Sequence, residues 1–277
     1  MPIVTISRGS MSGGRALAEC VSGALAIPCL GREILVETAA RLGVPEKALA
    51  EKMEKGPGLW DRFTLERHTY LAALRAALAE HALQGDLVYH GLAGHLLLRG
   101  APAVLRVRLI APLDMRVRAV MEQQGLGREE AEKHIRKVDE DRLRWTKFMY
   151  DVHLFDPHLY DLVVNLEELS MASACALVVE AARRPEFSVT GEVRAKLQDF
   201  ALASRVRLAL ITQPATRSLE LSVRAAGGVV TVGGEVPEAT MLSRTSTRWE
   251  QELRQVVQGV PGVERLVLDV QPVSPYR

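Results

Sequence analysis

The chain has 277 residues, of which 48% are hydrophobic and 25% charged, proportions that are typical of a globular protein and exclude a disordered one. This length exceeds the roughly 100–150 residues of one typical domain, so two domains are predicted. The formal net charge of +1 gives no support for a nucleic-acid-binding or anionic-membrane-binding surface.

Cysteine content and apolar runs predict the compartment. The three cysteines, Cys20, Cys29 and Cys175, are scattered and form no CxxC pair, so we expect reduced thiols, no metal site and a cytoplasmic protein. No apolar run approaches the roughly 20 residues that a membrane span needs, which predicts a soluble chain.

Helical and strand periodicities alternate along the first two-thirds of the chain. The predicted strands are 3–7, 86–90, 103–110 and 161–166. The predicted helices are 15–25, 32–42, 45–55, 61–83, 113–124, 128–149 and 170–182. This α/β alternation predicts a parallel sheet flanked by helices, with ligands bound beyond the carboxyl ends of the strands.

A domain boundary is predicted near Pro185, because proline cannot continue the preceding helix. Beyond it the sequence predicts helices over 191–203 and 239–257 and strands over 218–225, 229–236 and 263–270. The predicted domains are therefore 1–185, an α/β domain, and 186–277, a small α+β domain.

The most informative local motif is a strand, a glycine-rich turn and a helix, with the sequence IVTIS-RGSMSGG-RALAE. Gly9 and Gly14 lie five positions apart, as in the P-loop frame GxxxxGK[ST], but Arg15 and Ala16 replace its last two residues. Such glycines let backbone N–H groups converge on a phosphate at a helix N-terminus. Arg15 keeps the positive charge, whereas Ala16 has no oxygen for Mg²⁺. A turn that serves only for close packing is the alternative, and a Rossmann turn is disfavoured because no GxGxxG is present.

Further segments extend this motif in one order along the chain, namely IPCLGREIL, VYHGLAGHLLL, LRVRLIAP, REEAEKHIRKVDEDRLRW and LYDLVVNLEELS. With the glycine-rich loop they resemble the cytidylate kinase-like family of P-loop proteins, relatives of the nucleoside monophosphate kinases, over residues 1–184. The resemblance implies ATP as phosphoryl donor, Mg²⁺, a nucleotide-like acceptor and a lid that carries arginines.

The resemblance also implies three groups of site residues. Arginines of the loop and lid would neutralise the transferred phosphoryl group, with a lid carboxylate orienting one of them. The implied catalytic residues are Arg15, Arg136, Asp139 and Arg142. The implied donor-binding residues are Gly9, Ser10, Ser12, Gly13, Gly14, Arg15 and Arg144, and the implied acceptor-binding residues are Arg32 and Gly91. The alternative for the charged helix is a solvated, salt-bridged face.

In addition to Arg15 in place of the P-loop lysine, three positions depart from the family pattern. Ala16 replaces the Mg²⁺ hydroxyl, Gly31 stands where an acidic residue is usual, and Leu92 replaces an acceptor arginine. Two functions therefore stay open, while a third, a scaffold that has lost ligand binding, explains the retained glycines and arginines least well. One is ATP-dependent phosphoryl transfer to a small nucleotide-like acceptor. The other is a nucleotide or phosphate sensor without turnover, which signals to a protein partner through the C-terminal domain.

The C-terminal segments LELSVRAAGGVVTVGGEVPEATMLSRTSTRW and VVQGVPGVERLVLDV resemble the BON domain. Alternating valines supply an inward face and paired glycines make the turns. The resemblance implies that this domain binds membranes, ligands or partner proteins and performs no chemistry.

Overall fold

The computed structural model describes residues 2–43, 64–91, 93–217, 219–237 and 246–273. The strands in this part of the chain are β1 Ile3–Arg8, β2 Cys29–Leu30, β3 Leu87–Tyr89, β4 Val104–Ile110, β5 Leu162–Asn165, β6 Glu220–Ala226, β7 Val229–Pro237 and β8 Arg265–Val273. The helices are α1 Gly14–Leu25, α2 Glu33–Leu42, α3 Thr64–Leu83, α4 Gly94–Leu97, α5 Leu113–Gln124, α6 Arg128–Tyr150, α7 Met171–Ala182, α8 Gly191–Thr212 and α9 Ser246–Gln258.

The first sheet has five strands in the order β2-β3-β1-β4-β5, and each described pairing is parallel. β1 is central, with Ile3 opposite Leu87 of β3 and Val104 of β4. Because all strands run the same way, their carboxyl ends share one edge, where ligands of open α/β sheets bind.

A core of aliphatic side chains holds α1 and α7 against this sheet. It combines Val4 and Ile6 of β1 with Leu17 of α1 and Val178 of α7, each at most 1% exposed. Burial on this scale stabilises the domain by roughly 25 cal/mol per Å² of apolar surface. It also fixes the start of α1 at the carboxyl end of β1.

The chain forms two compact units, residues 1–62 with 84–190, and residues 63–83 with 191–277. Helix α3 thus groups with the C-terminal residues, although its sequence lies between β2 and β3. It packs along α8, where Glu80 pairs with Arg205 at 2.7 Å and the Arg75 guanidinium lies 4.6 Å from the Phe200 ring centre.

The second unit contains a three-stranded sheet in the order β6-β7-β8, antiparallel between β6 and β7 and parallel between β7 and β8. Val230 and Val232 of β7 are fully buried against Leu253 of α9 and Leu210 of α8. Trp249, which falls on α9, is part of the same core.

The alternation predicted from the sequence is confirmed for the first sheet. The structure adds β2 and α4, two short elements without a readable period, and it extends the predicted helix 191–203 to Thr212. The predicted helix 45–55 and parts of the helices 61–83 and 239–257 lie outside the described residues.

The expectation of three reduced cysteines was wrong, because Cys20 and Cys175 form a disulfide. Packing of α1 against α7 brings their Cα atoms to 6.1 Å, within the range a disulfide spans. Cys29 is free, and partial burial raises the pKa of its thiol. Across the described residues, no helix combines the length and the apolar character of a bilayer span.

Candidate functional site

The glycine-rich loop connects the central strand β1 to α1. Gly13 caps the helix with φ +80°, a conformation that disfavours residues with a Cβ. Gly14 lies against the stem of Arg8, since a Cβ at position 14 would be 2.0 Å from Arg8 Cδ. A Cβ at Gly9 would be 2.8 Å from Ser12 Oγ. These glycines are therefore required by the close packing of the loop.

A cavity of about 80 Å³, here named the arginine pocket, lies beside the loop. Four arginines and a single carboxylate line it, together with loop and apolar residues. The charged residues are Arg8, Arg108, Arg116, Arg142 and Asp139. Ser12 also lines it, is 2% exposed, and its Oγ has no hydrogen-bond partner within the described chain. The excess of guanidinium groups makes this pocket suited to an anion.

Arg8 and Arg108 enter the pocket from neighbouring strands. Arg8 ends β1 and donates to the carbonyl oxygen of His90. Burial, together with the charge of Arg142, lowers the Arg8 pKa to about 10, so Arg8 stays charged at neutral pH. Arg108 donates to Ser7 Oγ at 3.3 Å and to Tyr160 Oη at 3.2 Å.

A polar network ties the loop to the helices α5 and α6. The Ser10 N–H donates to Asp139 Oδ1 at 3.1 Å, and Arg116 Nε donates to the Ser10 carbonyl at 2.6 Å. Arg116 also pairs with Asp139 Oδ2 at 2.5 Å. A carboxylate of α6 thus accepts a hydrogen bond from a loop N–H of the kind that binds phosphate oxygens in P-loops.

A larger cavity of about 590 Å³ lies at the same edge of the sheet, and it shares Arg8, Arg142 and Leu154 with the arginine pocket. His90, which follows β3, also lines it, and burial followed by the charge of Arg8 lowers the His90 pKa. The departure at Gly31 has a steric reason, because a Cβ there would lie 2.6 Å from the His90 ring.

His95 is a second histidine of the larger cavity. It is 3% exposed and packs on the Tyr160 ring at 4.9 Å. Burial, followed by the charges of Arg108 and Arg106, lowers its pKa to about 3, so the ring is neutral at neutral pH. Neither ring nitrogen has a hydrogen-bond partner among the described residues.

The structure brings some of the predicted residues together and leaves others apart. Asp139 and Arg142 line the arginine pocket, and Arg142 Nη1 donates to the Arg8 carbonyl at 3.4 Å. Arg15 lies on the surface of α1 with its side chain 79% exposed and paired with Glu19 at 2.7 Å. That contact raises the Arg15 pKa.

The remaining predicted residues divide in the same way. Arg32 and Gly91 line the larger cavity, and their acceptor role stays a prediction. Arg136 is exposed on α6, and Arg144 is exposed and pairs with Asp141 at 2.8 Å. Of the cavities described here, neither is lined by Arg136 or Arg144.

Sequence reasoning missed Arg8, Arg108 and Arg116. A signal exists for Arg108, since the strand VLRVRLI carries charges at positions 106 and 108 amid apolar residues. An inner parallel strand gives its arginines little access to solvent, so a partner or a ligand is expected for each.

The residues near the loop fit a nucleotide phosphate better than they fit a protein-bound Mg²⁺. The described residues contain no cluster of three or more His, Cys, Asp or Glu suited to a metal. Asp139, the carboxylate beside the loop, is paired with Arg116. Bound Mg²⁺ is often held by substrate phosphates and water. The described residues of this loop offer few other ligands for it.

A parallel sheet with a glycine-rich loop after its central strand, and arginines at the carboxyl edge, defines an α/β protein of the nucleotide and small-molecule kinase class. The chain belongs to the cytidylate kinase-like family, whose sequence model matches residues 3–168. The resemblance expected for the N-terminal part is thereby confirmed.

Relatives agree with this placement. A cytidylate kinase from Methanothrix thermoacetophila is 28% identical over 165 residues, which cover 59% of this chain and 87% of that protein. The crystal structure of an uncharacterized protein from Eubacterium ventriosum has a TM-score of 0.52 at 17% identity, over 66% of this chain and 100% of that one. The structural match shows a shared fold.

Proposed function

We propose that this protein is an ATP-dependent phosphotransferase that acts on a small nucleotide-like acceptor. One observation carries the proposal. The arginine pocket beside the glycine-rich loop and the larger cavity share Arg8 and Arg142. A donor phosphate in the first and an acceptor in the second would meet at these two guanidinium groups.

In this proposal the donor phosphates bind the loop. Backbone N–H groups and the start of α1 face the phosphate oxygens, and the serines add hydroxyl donors. The loop residues concerned are Gly9, Ser10, Ser12, Gly13 and Gly14. The Ser10 N–H becomes available to the phosphate when its hydrogen bond to Asp139 breaks. Arg142 neutralises the transferred phosphoryl group, and Asp139 orients Arg116 toward it. The exposed Arg15, Arg136 and Arg144 stay proposed contacts of the donor and lid.

The larger cavity is proposed to bind the acceptor. Its lining includes Arg8, Arg32 and Arg142 but a single carboxylate in the described chain, Asp141, which pairs with Arg144. This balance favours an acidic acceptor such as a nucleoside monophosphate. CMP is the first to test, because a relative is a cytidylate kinase. Catalysis would consist mainly of positioning and charge neutralisation.

The experiment is a transfer assay with ATP and Mg²⁺ across nucleoside monophosphates and hydroxyl acceptors. Wild type, Arg142→Gln and Arg118→Gln are compared, where Arg118 is exposed on α5 and serves as the matched control. We expect about 10- to 1000-fold slower transfer in Arg142→Gln, as for loss of a group that stabilises charge in the transition state. Equal rates in the two variants, or no transfer by wild type to any acceptor, would contradict the proposal.

A phosphate sensor is the second candidate, and the position of α3 favours it. This helix lies within the residues matched by the family model but packs in the second unit, against α8. Nucleotide binding would then be passed through α3 to the BON-like C-terminal residues, which would bind a protein partner. Amide hydrogen exchange of α3 with and without ATP tests this, and identical exchange would exclude it.

A further inference from the structure

Among the residues that the structure describes, no carboxylate neutralises the buried charge of Arg108. Arg108 is 4% exposed, and its guanidinium donates hydrogen bonds to the hydroxyls of Ser7 and Tyr160. The guanidinium lies 4.9 Å from the Phe155 ring centre and 5.4 Å from that of Tyr160. None of the ion pairs formed among described residues includes it. A buried charge with neutral partners alone is costly in the absence of a ligand.

Arg106, two residues earlier on β4, shows what a neutralised arginine of this strand looks like. Its guanidinium donates two hydrogen bonds to the Asp161 carboxylate, at 2.6 and 3.0 Å. The same strand therefore pairs its first arginine with an acid. It brings the second, which has no acidic partner among the described residues, to the carboxyl edge beside Ser7. Position at the ligand-binding edge distinguishes the two.

The space in front of Arg108 matches a small oxyanion. The arginine pocket has about 80 Å³, whereas one water occupies about 30 Å³ in the liquid. A tetrahedral phosphate group fits such a volume. The buried Ser12 Oγ, which lacks a partner in the described structure, faces the same pocket as a hydroxyl donor.

Arg15, the basic residue of the loop motif, does not line the arginine pocket. The P-loop lysine normally reaches the donor phosphates, but Arg15 lies exposed on α1 and pairs with Glu19. A phosphate in the arginine pocket would instead be neutralised by arginines of the strands β1 and β4, namely Arg8 and Arg108.

We infer that Arg108, assisted by Arg8, binds the phosphate group held at the loop and takes the role of the missing P-loop lysine. The inference rests on the proposed function for the identity of the full ligand, but the site itself is for a phosphate oxyanion. Inorganic phosphate and a nucleotide's terminal phosphate share this chemistry, so pyrophosphate and ATP are used as separate probes.

The experiment is calorimetric titration of pyrophosphate, and separately of ATP without Mg²⁺, into the full chain. The variants are Arg108→Gln, Arg108→Lys, Arg15→Gln and the matched control Arg106→Gln. A charge-assisted hydrogen bond to an anion accounts for about a tenfold to hundredfold change in affinity. We expect Arg108→Gln to lose that much for both probes, Arg15→Gln to lose less than Arg108→Gln, and Arg106→Gln to change less than about threefold.

Arg108→Lys keeps the charge without the planar fork, and an intermediate loss is expected. It also serves if Arg108→Gln does not fold, as judged by circular dichroism. Equal losses in the Arg108 and Arg106 variants would overturn the inference. So would loss in Arg15→Gln alone, or the lack of pyrophosphate binding by wild type. Pyrophosphate binding without transfer to any acceptor would leave this site in place and contradict the proposed phosphotransferase.

Discussion

Replacing Asp139 with asparagine removes the negative charge that faces the glycine-rich loop. Asp139 accepts the Ser10 N–H and pairs with Arg116, so it occupies a donor and a cation that an incoming phosphate would use. The Asp139→Asn variant keeps a similar shape without the charge. We therefore expect it to bind pyrophosphate and ATP more tightly than wild type.

The magnitude follows from the distance between the two negative groups. An anion at the Ser10 N–H would lie about 4 Å from the Asp139 carboxylate, where like charges repel by roughly 1 kcal/mol in water and about 4 kcal/mol at a dielectric constant of 20. The Asp139 side chain is 24% exposed, so the repulsion lies between these two values, and the pairing of Asp139 with Arg116 offsets part of it. About 1–2 kcal/mol corresponds to roughly 5- to 30-fold tighter binding.

Isothermal titration of pyrophosphate into wild type, Asp139→Asn and Asp161→Asn tests this. Asp161→Asn causes the same change in net charge but removes the acid paired with Arg106. Under the proposed function the transfer rate of Asp139→Asn falls while its affinity rises, because Arg116 loses its orienting partner. Weaker binding by Asp139→Asn would show that the carboxylate holds the loop in its binding conformation. Equal tightening in both variants would reduce the effect to overall charge.

Three further predictions concern stability and are measured by urea unfolding. Gly14→Ala should lose about 1–3 kcal/mol from overpacking, whereas Gly23→Ala, in the same helix with open space around it, should gain about 0.5–1 kcal/mol. Reducing the Cys20–Cys175 disulfide, which spans 155 residues, should cost about 2–5 kcal/mol. His95 has a folded-state pKa of about 3 against 6.5 unfolded, so its stabilising contribution is complete above pH 6.5 and is lost as the pH falls toward 3. Between pH 7 and 4.5 wild type should therefore lose about 2–3 kcal/mol more than His95→Asn.

Each of these has a clear contrary result. Equal stabilities of the two alanine variants would mean that Gly14 is not tightly packed. Three titratable thiols in the unreduced native protein would contradict the disulfide. Parallel pH profiles of wild type and His95→Asn would show that the buried ring does not resist protonation.

The first sheet was predictable because each long strand and helix carries its own period. Val4 and Ile6, like Val107 and Leu109, are buried. Their spacing in the sequence is enough to predict the strands that carry them, whichever elements lie beside those strands. The two-residue strand β2 has no period to read, and it forms because it pairs with β3. The grouping of α3 with α8 was equally hidden, since an alanine-rich face does not specify which helix covers it.

The candidate site was predictable only where one stretch of sequence makes it. The loop and the Asp139–Arg142 turn of α6 are local, and both line the arginine pocket. Arg15 could be assigned by its position in the motif, but its direction depends on Glu19, one turn later on α1. A motif fixes the backbone path better than it fixes the direction of a side chain.

Arg108 illustrates the part of the candidate site that could not be predicted from the sequence, because it depends on strand order. Its partner Ser7 is 101 positions away in sequence, and the two residues meet because β4 is placed directly beside β1. Had another strand occupied that place, the same charge would have been buried at a different edge, away from the loop. The charge that faces a bound phosphate is therefore a property of the order β2-β3-β1-β4-β5 as much as of any motif. A lysine lost from the loop can be replaced from the neighbouring strand without changing the glycines.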